Sequence, residues 1–188
     1  MIAFKNLKLE IKLKAKNGVD FIIASSVIWF IIFGVWVYFD ELSAYDKSLF
    51  SIIIAIALLP LTYLFSKIFK TNWTIKNNPL QPLRSWLNFS HLIYFPFLLL
   101  VLIKFPDYFI VAYAILFGAH LFPLSWFYGD FGYAFSAITI SVGALLIAVY
   151  ADPNKILYVP LLTTTVLLVL GVSIFIANRK LYKKFKKR

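Results

Sequence analysis

The sequence predicts an all-α integral membrane protein of six transmembrane helices, with both ends on the cytoplasmic side. Three observations predict it. The chain has 188 residues, of which 62% are hydrophobic and 14% charged, where a soluble domain is about half apolar and about a quarter charged. The apolar residues gather into six stretches, each close to the roughly 20 residues a helix needs to cross a bilayer. The connections between them alternate in charge: sixteen of the nineteen Lys and Arg fall on one side, and five of the eight acids on the other. In lipid every backbone N–H and C=O has to be bonded within its own segment, so the stretches are helices and not strands. Six spans leave no room for a soluble domain beside them.

The N-terminal segment, residues 1–19, is basic and reads as a cytoplasmic or interfacial arm. Within it Leu7, Leu9, Ile11, Leu13 and Ala15 alternate with Lys8, Glu10, Lys12, Lys14 and Lys16. A period of two belongs to a strand. On a helical wheel Leu9 and Leu13 oppose Leu7 and Ile11, so an amphipathic helix fits poorly and the conformation of residues 5–16 stays open. A basic start before an apolar run also resembles a signal peptide. The run is of span length, however, and Asp40 and Glu41 follow it in place of a small-residue cleavage site, so it reads as a retained first helix. The six helices are expected at Phe21–Phe39, Ser48–Phe69, Trp86–Lys104, Asp107–Tyr128, Phe131–Tyr150 and Ile156–Asn178, inside a transmembrane domain of residues 20–178. The segment 179–188 is a polybasic tail.

Loop charge sets the orientation. Residues 1–20 hold five Lys against Glu10 and Asp20. The first loop holds Asp40, Glu41 and Asp46 against Lys47; the second holds Lys67, Lys70, Lys76 and Arg84 with no acid. The third has Lys104 and Asp107, the fourth Asp130 alone, the fifth Asp152 and Lys155, and the tail seven bases and no acid. Lys and Arg beside helix ends stay on the cytoplasmic side, so both ends are placed there. The turn at Gly129–Asp130 stands out as a cytoplasmic connection without a base. Asn78-Pro79 marks a turn in the long second loop, and Trp73 and Trp86 suit the interfacial belt. The basic tail, interleaved with Leu181, Tyr182 and Phe185, anchors topology and can hold anionic lipid at about 1 kcal/mol per base.

The helices also allow a three-plus-three inverted repeat. Phe21–Ala24 is echoed by Phe109–Ala112, Trp36–Asp40 by Trp126–Asp130, Phe50-Ser51 by Phe135-Ser136, and Leu92–Pro96 by Ile156–Pro160, in the right order. Chance matching among sequences drawn from Phe, Ile, Leu and Tyr is the competing explanation.

Few groups could carry chemistry. His120 is the deepest ionisable residue, about 12 Å from the cytoplasmic end of helix four at 1.5 Å per residue. Tyr113 lies seven residues earlier on nearly the same face, and Pro123 lies about one turn later. Such a residue is a candidate site by default; the bland reading is a neutral imidazole bonded within the bundle. His91, with Asn88 one turn before and Tyr94 one turn after, is the second candidate. Pro60, Pro96, Pro123 and Pro160 fall inside helices and free carbonyls that neighbours must satisfy. Ser25, Ser26, Thr163, Thr164 and Thr165 read as interhelical hydrogen-bonding groups, and Trp29 and Trp36, on one face of helix one, as packing residues. There is no Cys, no His-Glu-x-x-His, no Gly-x-Ser-x-Gly and no Walker loop, so nothing supports an enzyme. Two histidines on different helices without a buried acid make a poor metal site, and no cofactor is implied. The net charge of +11 is explained by topology; no nucleic-acid-reading module accompanies it.

Several segments together, Lys16-Asn-Gly18, Leu58–Lys67, Asn78-Pro-Leu80 and Gly118-Ala-His-Leu-Phe-Pro123 with Trp126, resemble a family of small bacterial membrane proteins catalogued as a domain of unknown function. The resemblance implies a bacterial cytoplasmic membrane and no established activity. His120 and Pro123 match its most distinctive motif.

These readings lead to an expected transporter or binding protein for a small solute or lipid ligand. Its cavity would be lined by Tyr94, Pro96, Tyr113, His120, Pro123 and Thr164, with Asn88 and His91 as a secondary set and His120 as the hydrogen-bonding or proton-exchanging group. The alternative is a non-transporting structural or regulatory subunit. Expected partners are the bilayer, anionic lipid at the tail, and another membrane protein or a second copy.

Overall fold

The computed structural model describes residues 2–152 and 155–186; residues 2, 3, 91 and 182–186 are described by their backbone alone. Among the described residues all regular structure is helical. Six segments are long and apolar enough to cross a membrane: Lys16–Tyr38, Ala44–Phe69, Gln81–Lys104, Pro106–Tyr128, Phe131–Tyr150 and Tyr158–Leu181. They coincide with the six expected stretches and mostly start earlier.

The first departure from expectation is at the N-terminus. Residues Ile2–Lys14 form a helix, α1, not the strand that their alternation suggests. A strand needs a partner for its backbone groups, whereas a helix bonds its own, and no strand exists among the described residues. One face of α1 is used: Ile11 and Ala15, a turn apart, are buried, and Phe4 packs against Trp126 with ring centroids 6.1 Å apart. A short 3₁₀ turn, Lys16–Gly18, then bends the chain into α2 (Val19–Tyr38). Three consecutive residues there have positive φ (46°, 54° and 69°). Gly18 suits the last of them because a Cβ would also lie 3.1 Å from the Tyr128 hydroxyl.

The second span is two helices, α3 (Ala44–Ile56) and α4 (Leu58–Phe69), broken at Ala57. Pro60 lacks an N–H and its ring crowds the carbonyl four residues back; the Ala57 N–H turns to Ile54 O at 3.0 Å and the helix restarts. Ser43 caps α3, accepting from the Asp46 N–H at 3.1 Å. The third span is likewise broken, into α5 (Gln81–Phe89), a 3₁₀ stretch Ser90–Tyr94, and α6 (Phe95–Lys104), with Pro96 in the first turn of α6 where its missing N–H costs nothing.

The other spans are continuous: α7 (Phe109–Tyr128), α8 (Phe131–Tyr150) and α9 (Tyr158–Lys186). Pro123 stays inside α7 without ending it, and Pro160 sits in the first turn of α9 instead of mid-helix. Gly129 (φ 60°) closes α7 and Asp130 opens α8, its Oδ1 accepting from the Gly132 N–H at 3.0 Å, so one glycine and one cap residue make the whole turn. The base missing from that turn comes from α1. Lys8 Nζ donates to Trp126 O and lies 4.1 Å from the Trp126 ring centre, and Lys12 Nζ reaches Gly129 O at 3.5 Å.

The most extensive packing joins α7 to α8, α2 to α9, α2 to α4, and α8 to α9. Between lipid-like surfaces helices associate by close packing of small residues, and three glycines serve this: a Cβ on Gly118 would lie 2.7 Å from Ser141 Oγ, one on Gly143 2.5 Å from Leu162, and one on Gly171 2.4 Å from Ile23. Rings from α2 and α7 fill the centre. Trp29 stacks on Tyr113 at 4.8 Å and meets Phe117 edge-on at 5.6 Å; both Trp29 and Trp36 are buried, as packing residues should be. The helix hydroxyls behave differently from expectation. Ser25, Thr163, Thr164 and Thr165 donate to carbonyls four residues back in their own helices, because that acceptor is always within reach of a helical hydroxyl. Ser141, donating to Ile115 O at 3.2 Å, bonds across to a neighbouring helix.

Candidate functional site

Polar side chains collect where the basic ends of the spans meet. Asp20, in the first turn of α2, is 1% exposed. Its carboxylate accepts from the Phe21 N–H at 3.0 Å and from the Thr71 hydroxyl. Arg84, on α5, is 5% exposed; its Nη1 donates to Asn72 O and Trp73 O at 3.0 and 3.1 Å, while its buried Nε has no hydrogen-bond partner. The two charges are not joined by a salt bridge to each other, and no ion pair among the described residues takes either. Both line one cavity of about 100 Å³, together with Thr62, Gln81, Ser85, Asn88, Tyr128 and Tyr133.

The surrounding scaffold is tied across long distances in the chain. Asn178 Nδ2 donates to Lys16 O at 2.7 Å, Lys16 Nζ to Phe69 O at 2.6 Å, Asn17 Nδ2 to Asp130 Oδ2 at 3.2 Å, and the Tyr133 hydroxyl to Asn17 O. Helix α1 is clamped over this end by the second loop: buried Asn78 donates to Leu7 O at 3.1 Å and to Glu10 Oε2 at 2.8 Å, and Lys14 Nζ to Glu10 Oε1 at 2.6 Å. Hydrogen bonds from Lys14 and Asn78 hold the Glu10 carboxyl below its ordinary value. Partial burial, with repulsion from Lys12 second, lowers Lys8.

A second cavity, of about 290 Å³, lies next to the first, between the broken second and third spans and α7. Its walls are almost wholly apolar: Ile52, Ala55, Ile56, Leu58, Leu98, Phe109 and Leu116 among them. Leu59 and Phe89 line both cavities. The groove exists because α3/α4 and α5/α6 break where they do. Ile56, Leu59, Phe89, Leu92 and Phe95 on its rim are also exposed on the outer surface, so it opens sideways.

The residues singled out from sequence separate. Tyr113 lines the apolar groove and Asn88 the polar pocket. His120 is buried against Phe21 and Phe117, with ring centroids 5.7 and 5.4 Å away, and lines neither cavity. Its Nδ1 lies 3.0 Å from Phe117 O; a carbonyl only accepts, so Nδ1 carries the proton. Thr164 is buried in α9 and bonded to Pro160 O at 2.8 Å. Tyr94 and Pro96 are exposed at the start of α6, and Pro123 is half-buried in α7. The side chain of His91 and most of the polybasic tail lie outside the described side chains. No group of three metal-binding side chains occurs among the described residues.

Asp20 and Arg84 are not distinguished as site residues by the sequence, where loop charge accounts for both as topology markers. A signal was present. Gln81, Arg84, Ser85 and Asn88 fall at i, i+3, i+4 and i+7, one polar stripe on a helix that is otherwise headed into lipid.

A family model described as a family of unknown function (DUF7010) matches residues 4–177. The chain belongs to this family. No curated protein and no solved structure matches it. The DUF7010 match extends from α1 into the last turns of α9, so it covers every wall of both cavities. The family supplies no activity, and function has to be argued from the cavities themselves.

Proposed function

We propose that this is a multi-pass membrane protein that binds an amphiphilic, lipid-like ligand, its polar end in the Asp20–Arg84 pocket and its apolar end in the groove beside α7. One observation carries the reading: a cavity that holds Asp20 and Arg84 and a larger, almost wholly apolar one share Leu59 and Phe89 as common wall. Ligand sites are mostly apolar with a few convergent polar groups, and the sideways opening of the groove suits a ligand that arrives from the bilayer. The charge pattern supports an orientation with both ends and the polar pocket on the cytoplasmic side. In the same reading residues 1–19 form an interfacial arm, residues 20–178 the membrane domain, and the basic tail a contact for anionic lipid. His120 supports the site from behind, through Phe117 and Phe21, and Tyr113 contacts the ligand directly.

The test is thermal unfolding of the detergent-purified protein against short-chain phospholipids and single-chain amphiphiles. A ligand that binds only the native state raises the melting temperature, by an increment set by RT ln(1 + [L]/Kd). A concentration-dependent rise is expected, and it is lost in Ala55→Trp, which fills the groove. No rise with any amphiphile would sink the proposal and favour a structural or regulatory subunit, to be sought by co-purification from native membranes.

A further inference from the structure

We infer that the polar pocket is built for a zwitterionic headgroup, a phosphate bearing an ammonium arm, as in a phosphatidylethanolamine. The inference rests on the amphiphile reading above and deepens it. Its basis is the pair of opposite charges that share the pocket without pairing. Asp20 and Arg84 are each at least nine-tenths buried, line the same cavity and form no salt bridge. Burying two unpaired charges is costly unless something compensates both. The partners they do have orient them and leave the charge in place. Arg84 is held by two neutral backbone carbonyls at Nη1 and by the neutral Tyr128 side chain beside it, with Nε enclosed and unbonded. Asp20 is held by a backbone N–H and a hydroxyl.

A ligand that brings one charge of each sign satisfies both. Its anionic group meets Arg84 beside the Asn88 amide, which has no hydrogen-bond partner among the described residues. A phosphate suits this corner, since its several oxygens match a guanidinium fork and additional donors. Its ammonium group meets Asp20 and Thr62, whose hydroxyl proton is already given to Leu58 O at 2.7 Å, leaving the oxygen to accept. A purely anionic headgroup would leave Asp20 buried beside a like charge, and a neutral one would leave both ions uncompensated. The acyl chains continue past Leu59 and Phe89 into the apolar groove.

The experiment titrates four probes into the purified protein: dioctanoyl phosphatidylethanolamine, dioctanoyl phosphatidylglycerol, dioctanoylglycerol and free phosphoethanolamine. Phosphatidylethanolamine is expected to bind at least about tenfold more tightly than the other three, the scale of one charge-assisted contact. Asp20→Asn is expected to bring phosphatidylethanolamine down to the level of phosphatidylglycerol, and Arg84→Gln to bring both down to dioctanoylglycerol. The wild-type ranking needs no variant, so it decides the matter even if one of these fails to fold. Equal binding of the three lipids overturns the headgroup assignment and leaves the amphiphile reading standing. Phosphoethanolamine binding as tightly as its lipid overturns the lipid source and keeps the pocket chemistry. Binding by none of the four overturns both.

Discussion

His120 shows what depth along a helix can and cannot reveal. Its position within the fourth span is legible from sequence, because each residue advances about 1.5 Å along the axis. Its surroundings are not, because they depend on which helices pack alongside. The ring lies between Phe21 and Phe117, its Nδ1–H donating to a carbonyl one turn back, and it lines neither cavity. We therefore expect His120→Ala to act first on stability, lowering it by about 2–4 kcal/mol as large-to-small core substitutions do. The ranking of ligands should be unchanged. Thermal unfolding of the variant with and without phospholipid measures both quantities. An unchanged melting temperature with ligand response abolished would place His120 in the site after all. Asp20 and Arg84 reverse the lesson. As charges they were counted, and counting them for orientation concealed that each is buried. Only the spacing of Gln81, Arg84, Ser85 and Asn88 distinguishes a site from a topological marker.

At the scale of elements, the helices were legible and their interruptions only partly so. Four prolines look alike in the sequence. Pro60 and Pro96 lie at breaks, Pro160 falls in a first turn, and Pro123 is carried within a continuous helix. The outcome depends on whether neighbours take up the freed carbonyl, which is a tertiary property. Helix contacts follow the same logic. Gly118 faces the Ile140 backbone-proximal atoms and Ser141 Oγ, with a Cβ contact at 2.7 Å, whereas nothing lies within 4 Å of a Cβ on Gly34. Gly118→Val should therefore force α7 from α8 and cost about 1–3 kcal/mol, the range for overpacking. Gly34→Ala should gain about 0.5–1 kcal/mol through helix propensity. Melting temperatures of the two variants, moving in opposite directions, check the assignment. The alternation in residues 7–16 leaves the conformation of α1 open, because the face that is buried depends on the surface it packs against. The docking of α1 is expected to depend on pH through Glu10. The folded-state value of that carboxyl is depressed by Lys14 and Asn78, so the contribution is fully present above the unfolded value and lost as pH falls through the folded one. Hydrogen exchange or proteolysis of residues 4–14 should accelerate on acidification below the ordinary carboxylate range, and Glu10→Gln should flatten that dependence. A pH-independent rate in the wild type would show that α1 is held by its apolar contacts alone.

For the whole molecule, the order in which the spans neighbour one another is what the structure adds to the sequence. The first span packs on the second and the sixth, the fourth on the fifth and the third, and the second on the third as the fifth on the sixth. The fourth span also touches the second and the sixth, and α2 and α7 meet through Trp29, Tyr113 and Phe117. The order of neighbours could not be read from composition, since every span draws on the same few apolar residues. Orientation is different: the proposal for it rests on charge alone. Lys8 and Lys12 lie over the turn at Gly129, so the one basic-side connection without its own base borrows two. The absence of cysteine makes a direct test available, because a single introduced thiol has no background. Glu41 and Asp107 are exposed at one end of the bundle, Lys76 and Lys180 at the other. On the proposed orientation, which puts both ends in the cytoplasm, a membrane-impermeant maleimide added to intact cells should label Glu41→Cys and Asp107→Cys at once. Lys76→Cys and Lys180→Cys should react only after permeabilisation. The reverse pattern would invert the molecule and turn the Asp20–Arg84 pocket to the outer leaflet, and with it the leaflet from which the proposed lipid would be drawn.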